Sequence, residues 1–161
     1  MKLALIAAVG KNYELGWQGD MPWKNALKKD LAFFREKTSH HALLMGRRTF
    51  ESLPSMLPGR PHLVVTSHPL PAKERLEVYP DLDSFFKEWQ KRDETVFVIG
   101  GGTIYSQLID AADEIYLTEI DADFLADTWF PHFDPKRYTL KVLDEVCENG
   151  YTYRHVLYSR I

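Results

Sequence analysis

Short apolar runs rich in Val, Ile, Leu and Tyr punctuate the chain, and their lengths predict strands. They fall at Leu3–Val9, Ala42–Met45, Leu63–Thr66, Thr95–Ile99 and Glu114–Glu119, with a weaker run at Leu76–Tyr79. Between them the spacing changes. Leu27, Leu31, Phe34 and Thr38 recur at about 3.6 residues, with Lys28, Lys29, Arg35 and Glu36 elsewhere on the wheel, which predicts an amphipathic helix. Phe85, Phe86 and Trp89 predict a second helix behind a cap at Asp81 or Asp83, and Thr103–Ile109 a third after a glycine run. Alternating strands and helices imply an α/β sheet with substantial parallel pairing. The end of the chain departs from this pattern: Tyr138–Cys147 and Tyr151–Ser159 flank Asn149-Gly150, a strong turn signal for an antiparallel hairpin. The sheet is therefore expected to be mixed. Residues 10–21, with Gly10, Gly16 and Gly19, show no period and read as a long mobile loop.

At 161 residues the chain fits one domain spanning 1–161, and no repeat or long Pro/Gly/Ser linker divides it. Hydrophobic residues make up 45% and charged residues 27%, enough for a core that needs no disulfide or structural metal. Cys147 is the only cysteine, which is compatible with a reducing compartment. Leu3–Val9 follows Lys2 but is short for a signal-peptide core and lacks a small-residue cleavage site, so it reads as a buried first strand. No apolar run approaches the roughly 20 residues that cross a membrane. The net charge of −3 calls for neither nucleic acid nor an anionic membrane. Any anion site must therefore be local.

Three strand ends carry groups suited to phosphate. Met45-Gly46-Arg47-Arg48-Thr49 passes from a strand into a helix start, offering free N–H groups and two guanidinium groups. A solvated basic helix start accounts for it equally well. Val96–Thr103 ends in Gly100, Gly101 and Gly102, and three missing Cβ atoms let a pyrophosphate approach the backbone. Thr66-Ser67-His68 follows another buried strand, although a turn alone can explain it. These clusters form neither GxGxxG after the first strand nor a P-loop, which weighs against a Rossmann dehydrogenase and a phosphotransferase.

Asp30 is the most informative single residue. It falls beside Leu27 and Phe34, inside the apolar stripe of the first helix. A carboxylate facing a core is costly unless satisfied, and burial moves it toward useful proton chemistry. An acid at the edge of the stripe, reaching water or pairing with Lys37, fits the helix equally well. The six histidines lack metal-ligand spacing, and no nucleophile elbow is present, so neither a metal site nor covalent catalysis has a candidate. Trp17, Trp23, Phe33 and Phe34 can line a flat pocket or simply pack.

Taken together, several segments resemble the dihydrofolate reductase family over nearly the whole chain. They are Leu5-Ile6-Ala7-Ala8, Leu15-Gly16, Met21-Pro22-Trp23, Asp30-Leu31-Ala32-Phe33-Phe34, Met45–Ser52, Leu57-Pro58-Gly59-Arg60, Ile99–Gly102, Tyr116-Leu117-Thr118 and Asp127–Pro131. The resemblance implies a mixed, mostly parallel eight-stranded sheet flanked by four helices, with a C-terminal antiparallel hairpin. It also implies reduction of 7,8-dihydrofolate to tetrahydrofolate by NADPH.

By the same resemblance, Asp30, Trp23 and Thr118 are the catalytic residues, with Asp30 orienting the pterin and favouring protonation of N5. Ala8, Leu31, Phe34, Arg35, Leu53, Leu57 and Arg60 match substrate positions, Arg60 answering the glutamate α-carboxylate. Arg47 and Ser67, with His68, match the positions that hold the 2′-phosphate. Arg48, Thr49 and Gly100–Thr103 match pyrophosphate contacts. Ala8, Leu15 and Tyr105 surround the nicotinamide, and Gly16, Gly46, Thr66, Ile99 and Ile104 complete the cofactor set. Two residues are added between Trp23 and Asp30 relative to short bacterial members. The expected protein is a cytoplasmic monomer that also binds antifolate inhibitors. A reductase of the same fold acting on a flavin-biosynthesis pyrimidine, a non-catalytic nucleotide-binding regulator and a phosphoryl-transfer enzyme rank below this reading.

Overall fold

The first apolar run becomes a strand at the heart of the molecule. In the computed structural model, which describes all 161 residues, β1 (Lys2–Val9) is buried at Leu3, Ala4, Leu5, Ile6 and Val9. The chain continues as β2 (Glu14–Gly16), α1 (Lys28–Thr38), β3 (Ala42–Gly46), α2 (Arg47–Ser52), β4 (His62–Val65) and β5 (Leu76–Tyr79). It then forms α3 (Leu82–Trp89), β6 (Thr95–Gly100), α4 (Gly102–Leu108), β7 (Glu114–Ile120), β8 (Thr128–Trp129), β9 (Tyr138–Glu148) and β10 (Tyr151–Arg160).

Eight strands build one sheet in the order β5-β4-β3-β6-β1-β7-β10-β9. All neighbours from β5 to β7 are parallel, and β10 then runs antiparallel to both β7 and β9. The mixed sheet and terminal hairpin are those that the residue pattern predicts, and the eight strands and four helices those that the resemblance implies. Parallel strands covered on both faces read as near-continuous apolar runs, and here alternate residues feed opposite faces. Leu3 and Leu5 join Leu44, Val98 and Leu117 beneath Phe85 and Trp89 of α3 and Ile104, Tyr105 and Leu108 of α4. Ala4 and Ile6 join Leu43, Met45, Val64 and Phe97 on the other face, against Phe33 and Phe34 of α1 and Phe50 of α2.

Several boundaries differ from the sequence reading, each for a local reason. The run Leu63–Thr66 pairs instead as His62–Val65, because the His62 N–H bonds the Arg75 carbonyl and its ring meets the Arg60 carbonyl. The third predicted helix begins one residue earlier, at Gly102, and Ile109 lies in a following 3-10 turn, Ile109–Ala111. Of the two candidate caps for α3, Asp81 accepts from the Ser84 N–H at 2.8 Å. The segment read as a loop over 10–21 contains β2, paired with β8, and a Trp17–Asp20 bridge. It shows no hydrophobic period because a buried carboxylate holds it: Glu14 accepts from Asn12 N at 2.5 Å and from Phe124 N at 2.6 Å. Asn149 and Gly150 both adopt positive φ, 49° and 81°, the requirement of a two-residue type I′ turn.

Candidate active site

Asp30 sits in the first turn of α1, whose start has no side-chain cap of its own. The C-terminal hairpin supplies one: the Glu148 carboxylate accepts from Lys29 N at 3.0 Å, and Asn149 Nδ2 donates to the Ala26 carbonyl at 2.7 Å. The turn carrying Asp30 is thereby tied to β9 and β10. The apolar stripe of α1 is covered only in part, as in the wall of a cleft, rather than closed over as in a core. Thr38 is the helix's one buried residue, Phe33 and Phe34 are half-buried, and Leu31 is 37% exposed. Asp30 belongs to this cleft wall, with its side chain 14% exposed.

Its partners are Thr118 and His155, and not Lys37, whose Nζ lies 5.7 Å from the Phe33 ring centroid. Thr118 Oγ1 donates to Oδ1 of Asp30 at 2.5 Å, and His155 Nε2 approaches the same oxygen at 2.9 Å. Oδ2 carries no protein hydrogen bond. His155 is 1% exposed, its Nδ1 lies 2.6 Å from Asp144 Oδ1, and its ring stacks on Phe33 with centroids 3.8 Å apart. Burial alone pushes the imidazole toward neutrality, but the Asp30 and Asp144 carboxylates outweigh it, so its pKa ends above the ordinary value. Sequence reasoning passed over this histidine because it weighed histidines by metal-ligand spacing. The available signal was the hairpin alternation, which puts Tyr153 and His155 on one face of β10.

The other sequence-predicted residues fall into two groups linked through β1. Ala8 is the register partner of Thr118, while the Ile6 carbonyl accepts from Tyr105 Oη at 2.7 Å. Trp23 is buried in a cluster with Leu27, Ile120 and Tyr153, and Ala8 packs against it. Thr49 of α2 meets the glycine run: a Cβ on Gly100 would lie 3.2 Å from Thr49 Oγ1, and one on Gly101 3.5 Å from the same atom. On Gly102 a Cβ would lie 2.8 Å from Thr128 Cγ2 and 3.9 Å from Leu15. Gly46 faces Ile104 in the same way, at 3.4 Å. Gly100 takes φ of 138°, open to glycine and strained for other residues. Gly46, Thr49, Gly100–Gly102, Ile104, Tyr105 and Leu15 thus surround one backbone cradle. Its missing Cβ atoms and free hydroxyl fit a pyrophosphate, and so fit a dinucleotide cofactor.

Arg47, Arg48, Thr66, Ser67 and His68 lie at the neighbouring ends of β3 and β4, and Gly16, Ile99 and Thr103 at the ends of β2 and β6 and in α4. Ser67, His68, Arg48 and Thr103 are exposed, and Arg47 makes a 3.6 Å surface pair with Glu51. Arg60 behaves differently. It is 7% exposed, donates to the Pro58 and Arg35 carbonyls at 2.7 and 2.8 Å, and leaves its buried Nε without a partner. Burial, and then the charge of Arg35, lowers its pKa. A buried guanidinium that meets only neutral carbonyls is stabilised further by an anionic ligand. Leu53 and Leu57 pack on the cluster that also holds Phe33 and Phe34.

A family model described as dihydrofolate reductase matches residues 2–160. A dihydrofolate reductase of Bacillus subtilis is 35% identical, covering 98% of this chain and 94% of its own. A type 3 dihydrofolate reductase of Salmonella typhimurium is 40% identical over 83% of this chain and 80% of its own. Among solved structures, a dihydrofolate reductase from Enterococcus faecalis in complex with NADP(H) and RAB-propyl superposes with a TM-score of 0.84. It is 32% identical and covers 99% of this chain and 96% of its own.

Proposed function

The chain belongs to the dihydrofolate reductase family, and from that membership we propose how its own residues carry the reaction. The enzyme reduces 7,8-dihydrofolate to 5,6,7,8-tetrahydrofolate, and bound NADPH supplies the hydride. The flavin-precursor, regulator and phosphoryl-transfer alternatives give way to that activity.

The observation that carries the residue-level reading is the Asp30 carboxylate, held through Oδ1, with Oδ2 free of protein hydrogen bonds and the side chain partly exposed. A carboxylate so held accepts from the pterin N3–H and 2-amino group and fixes the plane of the ring. Its negative charge favours a proton at N5, which makes C6 the better hydride acceptor. Thr118 fixes the carboxylate rotamer. Trp23 supports the wall next to Ala8, and Leu31, Phe34, Leu53 and Leu57 offer apolar surface to the pterin and benzoyl groups. Arg60, with Arg35 beside it, receives the glutamate α-carboxylate, a role its buried and incompletely partnered guanidinium supports.

On the cofactor side, Arg48, Thr49 and Gly100–Thr103 hold the pyrophosphate, and Arg47, Ser67 and His68 the 2′-phosphate. Gly16, Leu15, Ala8, Ile99, Ile104 and Tyr105 border the nicotinamide, and Gly46 and Thr66 shape the turns beneath. The Ala8–Thr118 register and the Tyr105–Ile6 hydrogen bond support this arrangement, because they bring both ends of the site to one strand. The protein acts as a cytoplasmic monomer and binds antifolates. No helix is long and apolar enough to cross a membrane.

Titration of the two ligands by tryptophan fluorescence tests the assignment of Asp30. Asp30→Asn is expected to weaken dihydrofolate binding by at least tenfold while leaving NADPH affinity within twofold. Unchanged dihydrofolate affinity would move the pterin anchor elsewhere.

A further inference from the structure

His155 contributes nothing to the cofactor cradle or to the Arg60 end of the cleft, yet it is more completely buried than the carboxylate it touches. Its side chain is 2% exposed, against 14% for Asp30 and 50% for Asp144. A buried imidazole between two carboxylates is a costly arrangement unless it carries a proton on each nitrogen. With both nitrogens protonated, Nδ1–H faces Asp144 at 2.6 Å and Nε2–H faces Asp30 at 2.9 Å. In the neutral ring one nitrogen would turn a lone pair toward a carboxylate. The geometry therefore selects the cation.

Three structural features lock the ring in place. Phe33, one turn along α1 from Asp30, stacks on it at 3.8 Å with planes 10° apart. Tyr153 meets it edge-on at 5.5 Å. The β9–β10 register shifts between His155 and Val156, leaving Leu143 as an extra residue on β9 next to Asp144. A bulge of this kind re-aims the side chains beside it. Four elements bring side chains to the ring. α1 presents Asp30, with Lys37 beyond Phe33 at 5.7 Å from that ring; β9 presents Asp144; β7 presents the uncharged Thr118 as register partner; β10 presents Tyr153, whose hydroxyl donates to Glu148. The carboxylates of Asp30 and Asp144 are the charges in direct contact, and they favour the imidazolium.

We propose that His155 is a positioning residue for the reduction: its imidazolium, held between Asp144 and Asp30, fixes which oxygen of Asp30 is left to the substrate and sets the pH range of hydride transfer. The proposal rests on the role of Asp30 given above. Thr118 and His155 converge on Oδ1, so Oδ2 is the oxygen left without a protein partner and available to a ligand. A fixed positive charge behind the carboxylate opposes a proton arriving at the nearby N5. The reaction consumes that proton, so its rate falls as pH rises. Removing the charge moves the falling limb to higher pH.

The test is the pH profile of single-turnover hydride transfer with NADPH and dihydrofolate, for wild type, His155→Gln and Asp144→Asn. Glutamine keeps a neutral donor and removes the charge. The expected result is an apparent pKa of the falling limb higher by about one pH unit in H155Q, the low end for loss of a charge in contact. D144N, which weakens the hold on the imidazolium from the half-exposed side, is expected to shift it the same way by less. A profile that superposes on wild type, or moves to lower pH, in folded H155Q overturns the proposal. Where H155Q does not fold, the same outcome in D144N overturns it. Asp30→Asn, run alongside, separates the two claims. A D30N enzyme as fast as wild type ends the reading of Asp30 itself, whereas a crippled D30N with an unshifted H155Q ends only the role of His155.

Discussion

His155 and Thr118 face each other as register partners across β7 and β10, and both reach the same oxygen, Oδ1 of Asp30. Two strands thus hold a side chain borne by a helix, and the carboxylate has one orientation open to it. Thr118 is the simpler contact to remove. Thr118→Val keeps the shape and deletes a hydrogen bond to a charged acceptor, worth about 1.5–3 kcal/mol. kcat/KM for dihydrofolate is expected to fall roughly ten- to a hundredfold by the usual conversion, with NADPH affinity unchanged. An unaltered kcat/KM would show that Thr118 does not orient the acid.

Arg60 gives a prediction at the other end of the cleft. Arg60→Gln is expected to raise KM for dihydrofolate on the order of ten- to a hundredfold, the scale of a charge-assisted pair, while kcat is held. A substrate analogue lacking the glutamate tail should lose no affinity in the variant. Equal losses with and without the tail would mean that Arg60 serves only to hold the Pro58 and Arg35 carbonyls.

Gly100 carries two independent constraints, a φ of 138° and the approach of Thr49 Oγ1. Gly100→Ala is expected to cost about 1–3 kcal/mol of stability through backbone strain, read as a lower thermal midpoint. NADPH affinity, followed by cofactor fluorescence, should drop on the order of tenfold because the new methyl group intrudes on the cradle. An unchanged NADPH affinity would place the pyrophosphate elsewhere.

The His155 pKa in the folded protein is raised above the 6.5 of an unperturbed imidazole. The protonated ring therefore stabilises the fold fully below about pH 6.5, and that contribution is lost as pH rises through the raised value. Urea midpoints taken from pH 5 to 9 should fall over the upper part of this range in wild type and fall less in His155→Gln. Parallel curves for the two proteins would contradict the ion-pair assignment.

Strand runs and the final hairpin were legible because local chemistry specifies them. β1, β3 and β6 are apolar on both faces, and Asn149-Gly150 supplies two positive-φ residues in succession. Asp30 stood out as an acid within an apolar stripe, and the family resemblance assigned its role. Its partner was not legible from the helix alone. Lys37 lies two turns along the same helix, whereas the actual neighbour, His155, is 125 residues away and arrives through the β7–β10 register and a bulge. β2 was hidden for a related reason: Glu14 binds backbone N–H groups, and pairing with β8 closes a long loop, neither of which leaves an apolar period. Periodicity places Leu31 on the apolar stripe but does not distinguish a core from a cleft wall; its 37% exposure puts it on the latter.

The most direct test of the account follows NADPH absorbance in a single turnover with dihydrofolate, for wild type and Asp30→Asn, from pH 5 to 8. At pH 7 the variant is expected to be slower by about 10²–10⁴-fold, the usual scale for loss of a group that governs proton transfer. The deficit should shrink as pH falls and solvent protonates N5 without the carboxylate's help. A folded Asp30→Asn enzyme that transfers hydride at the wild-type rate across this range would contradict the central claim.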